Sequence, residues 1–140
     1  MARYRTALPQ ANGDLVITDG GLETDLIFHE GFDLPLFAAF PLVADPAGRE
    51  ALQRYYDRYV GIAGANGVGL VLESPTWRAN PDWAPQLGYT LAQLDEMNRA
   101  AIALMEDIGC GTIIAVFIGA CVLVIAIGFL FHVGWNLVPH

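Results

Sequence analysis

Residues 15–24 read Leu-Val-Ile-Thr-Asp-Gly-Gly-Leu-Glu-Thr, and residues 68–78 read Val-Gly-Leu-Val-Leu-Glu-Ser-Pro-Thr-Trp-Arg. Each begins as a short apolar run, meets a carboxylate, and then breaks into turn formers. Leu15-Val16-Ile17-Thr18 is apolar and β-branched, and it ends in Asp19-Gly20-Gly21, so it predicts a strand feeding a tight turn. Val68 to Leu72 is a continuous apolar run closed by Glu73-Ser74-Pro75, which suits a parallel strand buried on both faces.

The residues between and after these runs have helical spacing. Leu22 to His29 predicts a short helix closed by Gly31, and residues 32–41 an apolar loop punctuated by Pro35 and Pro41. Asp45-Pro46 is a helix start: the carboxylate can cap free amides, and proline at the first helical position forgoes an N–H that has no partner there anyway. Leu52, Tyr55, Tyr56, Tyr59, Ile62 and Ala63 then recur at intervals of three and four, making one apolar face that ends in the glycines of residues 64–69. A loop rich in proline and tryptophan covers residues 75–89. Thr90 opens another helix, with Gln93 completing a capping box and Leu91, Leu94, Met97, Ala101, Leu104, Met105 and Ile108 as its apolar face. Strand, helix, strand, helix at these separations is the pattern of parallel βαβ units.

In parallel α/β folds, ligands meet the side chains at the C-terminal ends of the strands. Two segments qualify, Asp19 to Thr24 and Glu73 to Arg78. In the first, two glycines would let a ligand approach the backbone, and Asp19 could accept hydrogen bonds from an ammonium group; Asp-Gly-Gly also reads as a plain turn. Glu73 is either a site carboxylate or a cap for the following loop. Trp77 and Trp83 serve either as pocket walls or as packing for that loop. His29, His132 and His140 share no ligand spacing.

Taken in order, ITDGGLETDLIFHEGFDLPLFAAFPL (residues 17–42), YYDRYVGIAGANGVGLVLESPTWRANPDWAPQLGY (55–89) and NRAAIAL (98–104) resemble the start of the homocysteine S-methyltransferase family. The resemblance implies a (β/α)8 barrel, of which residues 1–107 would form an incomplete fragment of about two βα units. It implies a reaction in which the homocysteine thiol takes a methyl group from a donor, giving methionine. It also implies a substrate-binding role for Asp19, Gly20 and Gly21, which match the family's turn for the amino-acid end of homocysteine, and for Glu73, Ser74, Thr76 and Trp77 after the second strand. The full-length family holds zinc through cysteines in later strands. Cys110 and Cys121 match none of them, so the expectation is that this chain alone binds no cofactor and is inactive without a complementing chain. Exposed strand edges in such a fragment would favour self-association or partner binding.

Charge divides the chain. All seven basic residues are arginines, the acidic residues number 15, the net charge is −8, and no residue beyond Asp107 is charged. The arginines are interleaved with acids and form no basic stripe, which argues against nucleic acid as a partner. Residues 108–131 read IGCGTIIAVFIGACVLVIAIGFLF, long enough for a membrane helix at about 20 residues. The expectation is therefore a transmembrane helix over 108–131, followed by a short uncharged tail at 132–140. With the arginines all before it, the N-terminal part would stay cytoplasmic. In a helix, Gly111, Ala115 and Gly119 would make a small-residue face, and Trp135 would sit at an interface. Cys110 and Cys121 would be apolar fillers too far apart to bond. The competing reading takes residues 111–119 as a third barrel strand, rich in β-favouring Ile, Val and Phe, in a protein that remains cytoplasmic. A third takes the chain as a non-catalytic, membrane-anchored binding or interaction fragment, or the product of a disrupted gene. The start of the chain has no apolar stretch of the kind a secretory signal needs.

Overall fold

A computed structural model describes residues 13–109 together with the strands at 113–118 and 122–127; side chains are described through Ile108. Strand β1 (Val16–Thr18) is followed by helix α1 (Leu22–Phe28), two 3-10 turns (Pro35–Phe37 and Phe40–Ala44) and helix α2 (Pro46–Asn66). Strand β2 (Gly69–Glu73), a 3-10 turn (Ala84–Leu87) and helix α3 (Leu91–Gly109) come next, then β3 (Ile113–Ile118) and β4 (Val122–Ile127). The strands lie side by side in chain order in one sheet. β1 pairs with β2 in parallel, Thr18 opposite Val71, and β2 pairs with β3 in parallel, Leu70 opposite Ile114. β4 runs antiparallel to β3, Val116 opposite Val124.

Local chemistry explains the helix boundaries. Asp45 Oδ2 accepts the Gly48 N–H at 2.6 Å, and Pro46 fills the first turn of α2. Gly67, at φ 63°, closes α2 in the left-handed conformation that a residue without Cβ adopts freely. Thr90 and Gln93 form the reciprocal box, Gln93 Oε1 accepting the Thr90 N–H at 2.9 Å and Thr90 Oγ1 accepting the Gln93 N–H at 3.3 Å.

The core follows from the two helical faces. Leu52, Tyr55, Tyr56 and Ala63 of α2 are buried with Leu94, Met97, Ala101, Leu104, Met105 and Ile108 of α3, against Leu70 and Leu72 of β2 and Phe40 of the second 3-10 turn. Two positions assigned to those faces are turned outward: Ile62 is 52% exposed and Leu91 61%. Ile62 lies near the C-terminal end of α2 and Leu91 is the first residue of α3, where burial depends on what packs against the helix end and not on periodicity.

Two expectations about the fold are corrected. No barrel is present among the described residues: the sheet is open, and the β3–β4 antiparallel pair ends the parallel βα repeat. The transmembrane helix over 108–131 is also not found. Its first residues belong to α3, which runs to Gly109 past the expected boundary at 107, and residues 113–118 and 122–127 are two strands of six residues each. Among the described residues, no helix is long and apolar enough to cross a membrane. Strands buried in a parallel sheet read as unbroken apolar runs, so length alone does not separate them from a membrane helix. The density of Ile and Val over 113–127 favours the strand. The small-residue face at Gly111 and Gly119, both cysteines, Trp135, His132, His140 and the tail at 132–140 lie outside the described residues.

Candidate functional site

Parallel pairing brings the ends of β1 and β2 level. The Asp19 N–H donates to the Val71 carbonyl at 3.2 Å, extending the ladder by one bond, and Asp19 Oδ1 accepts the Glu73 N–H at 2.8 Å. The Asp19 carboxylate therefore bridges the two strand ends as well as facing the crevice. Gly21 then turns at φ 70°, a conformation costing an L-residue about 1–2 kcal/mol, to start α1.

Helix α2 supports this turn from below. The Tyr55 hydroxyl stands 3.1 Å from Asp19 Oδ2 and 3.0 Å from the Gly20 carbonyl, and Tyr59 donates to that same carbonyl at 3.0 Å. Tyr55 has one proton to give, so with Tyr59 serving Gly20 it is free to donate to Asp19. Tyr56 donates to the Glu73 carbonyl at 2.8 Å. Burial, then the nearby Asp19 charge, pushes the Tyr55 phenol far above its usual value, and Tyr56 rises for the same reasons. Both remain neutral donors.

Above the turn is a cavity of about 200 Å³ lined by Asp19, Gly20, Gly21, Leu22, Glu23, Glu73, Ser74 and Trp77. That is below the ~300–1,000 Å³ of drug-sized pockets and suits a small metabolite. Three carboxylates share it. Burial raises the pKa of Asp19 against the lowering effect of its hydrogen bonds from Glu73 and Tyr55. Burial raises Glu23, with the charges of Glu73 and Asp19 adding to the rise and Arg78 opposing it. Burial and then the Asp19 charge raise Glu73. Among the described residues, no arginine or histidine lies within 4.0 Å of any of the three carboxylates.

Of the residues expected at the site, Asp19, Gly20, Gly21, Glu73, Ser74 and Trp77 are brought together. Thr76 is not in the wall: it is buried, its Oγ1 2.7 Å from Ser74 Oγ, and it holds the loop's shape. Glu23 belongs to the first strand-end segment read from the sequence, without an assigned role there, and the tyrosine hydroxyls carry no assigned role either. Glu23 falls on the first turn of α1, five residues before its end, and only the sharp turn at Gly21 aims it back at the strand ends. Tyr55 and Tyr59 were accounted for as apolar-face residues, and their hydroxyls mark the polar end of that face.

Among the described residues, no three His, Cys, Asp or Glu side chains converge as metal ligands. The Asp19 oxygens already accept from Glu73 and Tyr55. A zinc centre that activates a thiol needs about three nitrogen, sulfur or carboxylate ligands and an open position, and the described donor set does not fit one. No protein-family model, no curated protein and no solved structure matches the chain.

Proposed function

We propose that the cavity binds the ammonium end of a small amino acid, and that this amino acid is homocysteine. The observation that supports the first part is the sharing of one small cavity by Asp19, Glu23 and Glu73 with no basic side chain within 4.0 Å among the described residues. The charge of Asp19 raises the pKa of both Glu23 and Glu73, and that repulsion is relieved when a cation enters between them. A primary ammonium has three N–H donors, and ionised carboxylates have spare lone pairs even when each oxygen already accepts one bond. The second part rests on the resemblance of residues 17–42, 55–89 and 98–104 to the homocysteine S-methyltransferase family, whose reaction moves a methyl group from a donor to the homocysteine sulfur. The role assigned to this chain is to bind and orient the amino acid; no group that would activate the thiol is assigned here.

Asp19→Asn tests the reading. The amide keeps an oxygen to accept the Glu73 N–H, so the strand ends stay bridged, while the charge is lost. Titration of homocysteine into the full chain, followed by calorimetry, is expected to show binding that weakens at least about tenfold in the variant, the scale of one charge-assisted contact. Equal affinity in the two proteins, or no binding to the unaltered chain, would reject it.

A further inference from the structure

Five arginines lie in the described residues, and four of them are paired with carboxylates. Arg49 pairs with Asp107, Arg54 with Glu30 and Glu50, Arg58 with Asp25, and Arg99 with Asp95. Arg78 pairs with none. Its guanidinium carbon lies 4.4 Å over the Trp77 ring and 3.9 Å over the Trp83 ring. Its Nε is buried with no hydrogen-bond acceptor among the described residues. In a chain with a net charge of −8 and carboxylates in excess, an arginine that forms no ion pair within 4.0 Å among the described residues is out of the ordinary. Buried donors without acceptors are rare enough in folded proteins to call for a reason.

The stack orients this cation. Two indoles within 4.4 Å of the guanidinium carbon restrain the side chain through cation–π attraction, and the guanidinium carries its N–H donors in the fork geometry that matches a carboxylate. Trp77 is at once the platform for Arg78 and a wall of the cavity that holds Asp19, Glu23 and Glu73. Arg78 is also close enough to Glu23 to oppose the rise in its pKa. The cavity thus has three acids inside and one oriented cation against its tryptophan wall.

We infer that Arg78, held over Trp77 of the cavity wall and over Trp83, receives the carboxylate of the bound ligand, so that the site selects a zwitterionic α-amino acid over the corresponding amine. This rests on the ammonium-binding reading above and adds the residue that recognises the other end of the ligand. Trp77 and Trp83 are positioning residues, acting through the guanidinium they hold. The sequence motif Thr-Trp-Arg-Ala-Asn-Pro-Asp-Trp at residues 76–83 places both indoles around the arginine within one loop.

The test compares homocysteine with 3-aminopropane-1-thiol, the same molecule without its carboxylate, by calorimetric titration of the full chain, the Asp19→Asn variant and the Arg78→Gln variant. The unaltered chain is expected to favour homocysteine by at least about tenfold, because a site built to hydrogen-bond a group rejects the analogue lacking it. Arg78→Gln is expected to weaken homocysteine and leave the amine unchanged, bringing the ratio close to one. Equal affinity for the two ligands in the unaltered chain overturns the inference, as does a folded Arg78→Gln protein that keeps the full preference. Should Arg78→Gln disturb the loop by near-ultraviolet circular dichroism, Arg78→Lys retains charge and stem but loses the fork. A reduced preference in it supports the inference, and an undiminished one overturns it. Failure to bind homocysteine at all overturns the ammonium reading and this one together. Asp19-dependent binding that ignores Arg78 overturns this one alone.

Discussion

Asp19 has two duties that pull its charge in opposite directions. It ties β1 to β2 by accepting the Glu73 N–H, which favours the ionised form, and it sits partly buried, which disfavours it. For Asp19, Glu23 and Glu73 burial prevails, and all three pKa values are raised. An acid whose folded pKa lies above its unfolded value holds more protons folded than unfolded between the two, so stability falls as pH rises through that window. For Glu73 the window opens near 4.5, the ordinary glutamate value, and extends upward. Glu73→Gln removes a repulsive charge but leaves the backbone N–H and carbonyl that meet Asp19 and Tyr56. The ligand-free variant is expected to melt above the unaltered protein at neutral pH, with the gap closing as pH falls below about 4. A gap of the opposite sign, or one that does not change with pH, would contradict the shared-charge description of the cavity.

The elements show what sequence patterns resolve and what they do not. The Asp45 cap, the Thr90–Gln93 box and the buried faces of α2 and α3 were legible, because each depends on residues within one turn of each other. The strand–turn at Asp19-Gly20-Gly21 was legible for the same reason. Residues 108–131 were misread as a membrane helix because an apolar run carries no information about its partner, and pairing of 113–118 with β2 is a long-range event. The site was legible where it sits on its own strand end, at Asp19 and Glu73. The sequence placed Glu23 and Arg78 in the two candidate segments without giving either a role, and gave Tyr55 only an apolar one, because their contributions arise only when α1, α2 and the tryptophan loop are brought to the same place. Close approach between elements was equally hidden. A Cβ on Gly48 would lie 2.8 Å from the Leu42 carbonyl oxygen and 2.9 Å from its Cα, so the first turn of α2 touches the backbone of the preceding 3-10 turn. Backbone atoms cannot rotate out of the way. Gly48→Ala is expected to destabilise by about 1–3 kcal/mol despite alanine's better helix propensity. Chemical denaturation reads this directly, and an unchanged or raised midpoint would show that the two turns can separate.

At the scale of the whole molecule, the core and the cavity belong to one arrangement. Tyr55 and Tyr56 pack among the buried residues while their hydroxyls reach Asp19 and the strand-end carbonyls, so the apolar stripe of α2 fixes the floor of the cavity. The parallel β1–β2 pair levels two carboxylates, α1 adds a third, and the loop after β2 adds Trp77 with the stacked Arg78. The central claim is that this assembly holds an amino acid by its ammonium group. It is tested most directly by calorimetric titration of the full chain at neutral pH with homocysteine and with 4-sulfanylbutanoic acid, the same molecule without its amino group. The expected result is measurable binding of homocysteine and affinity at least about tenfold weaker for the deaminated compound. Equal or tighter binding of the deaminated compound would contradict the account.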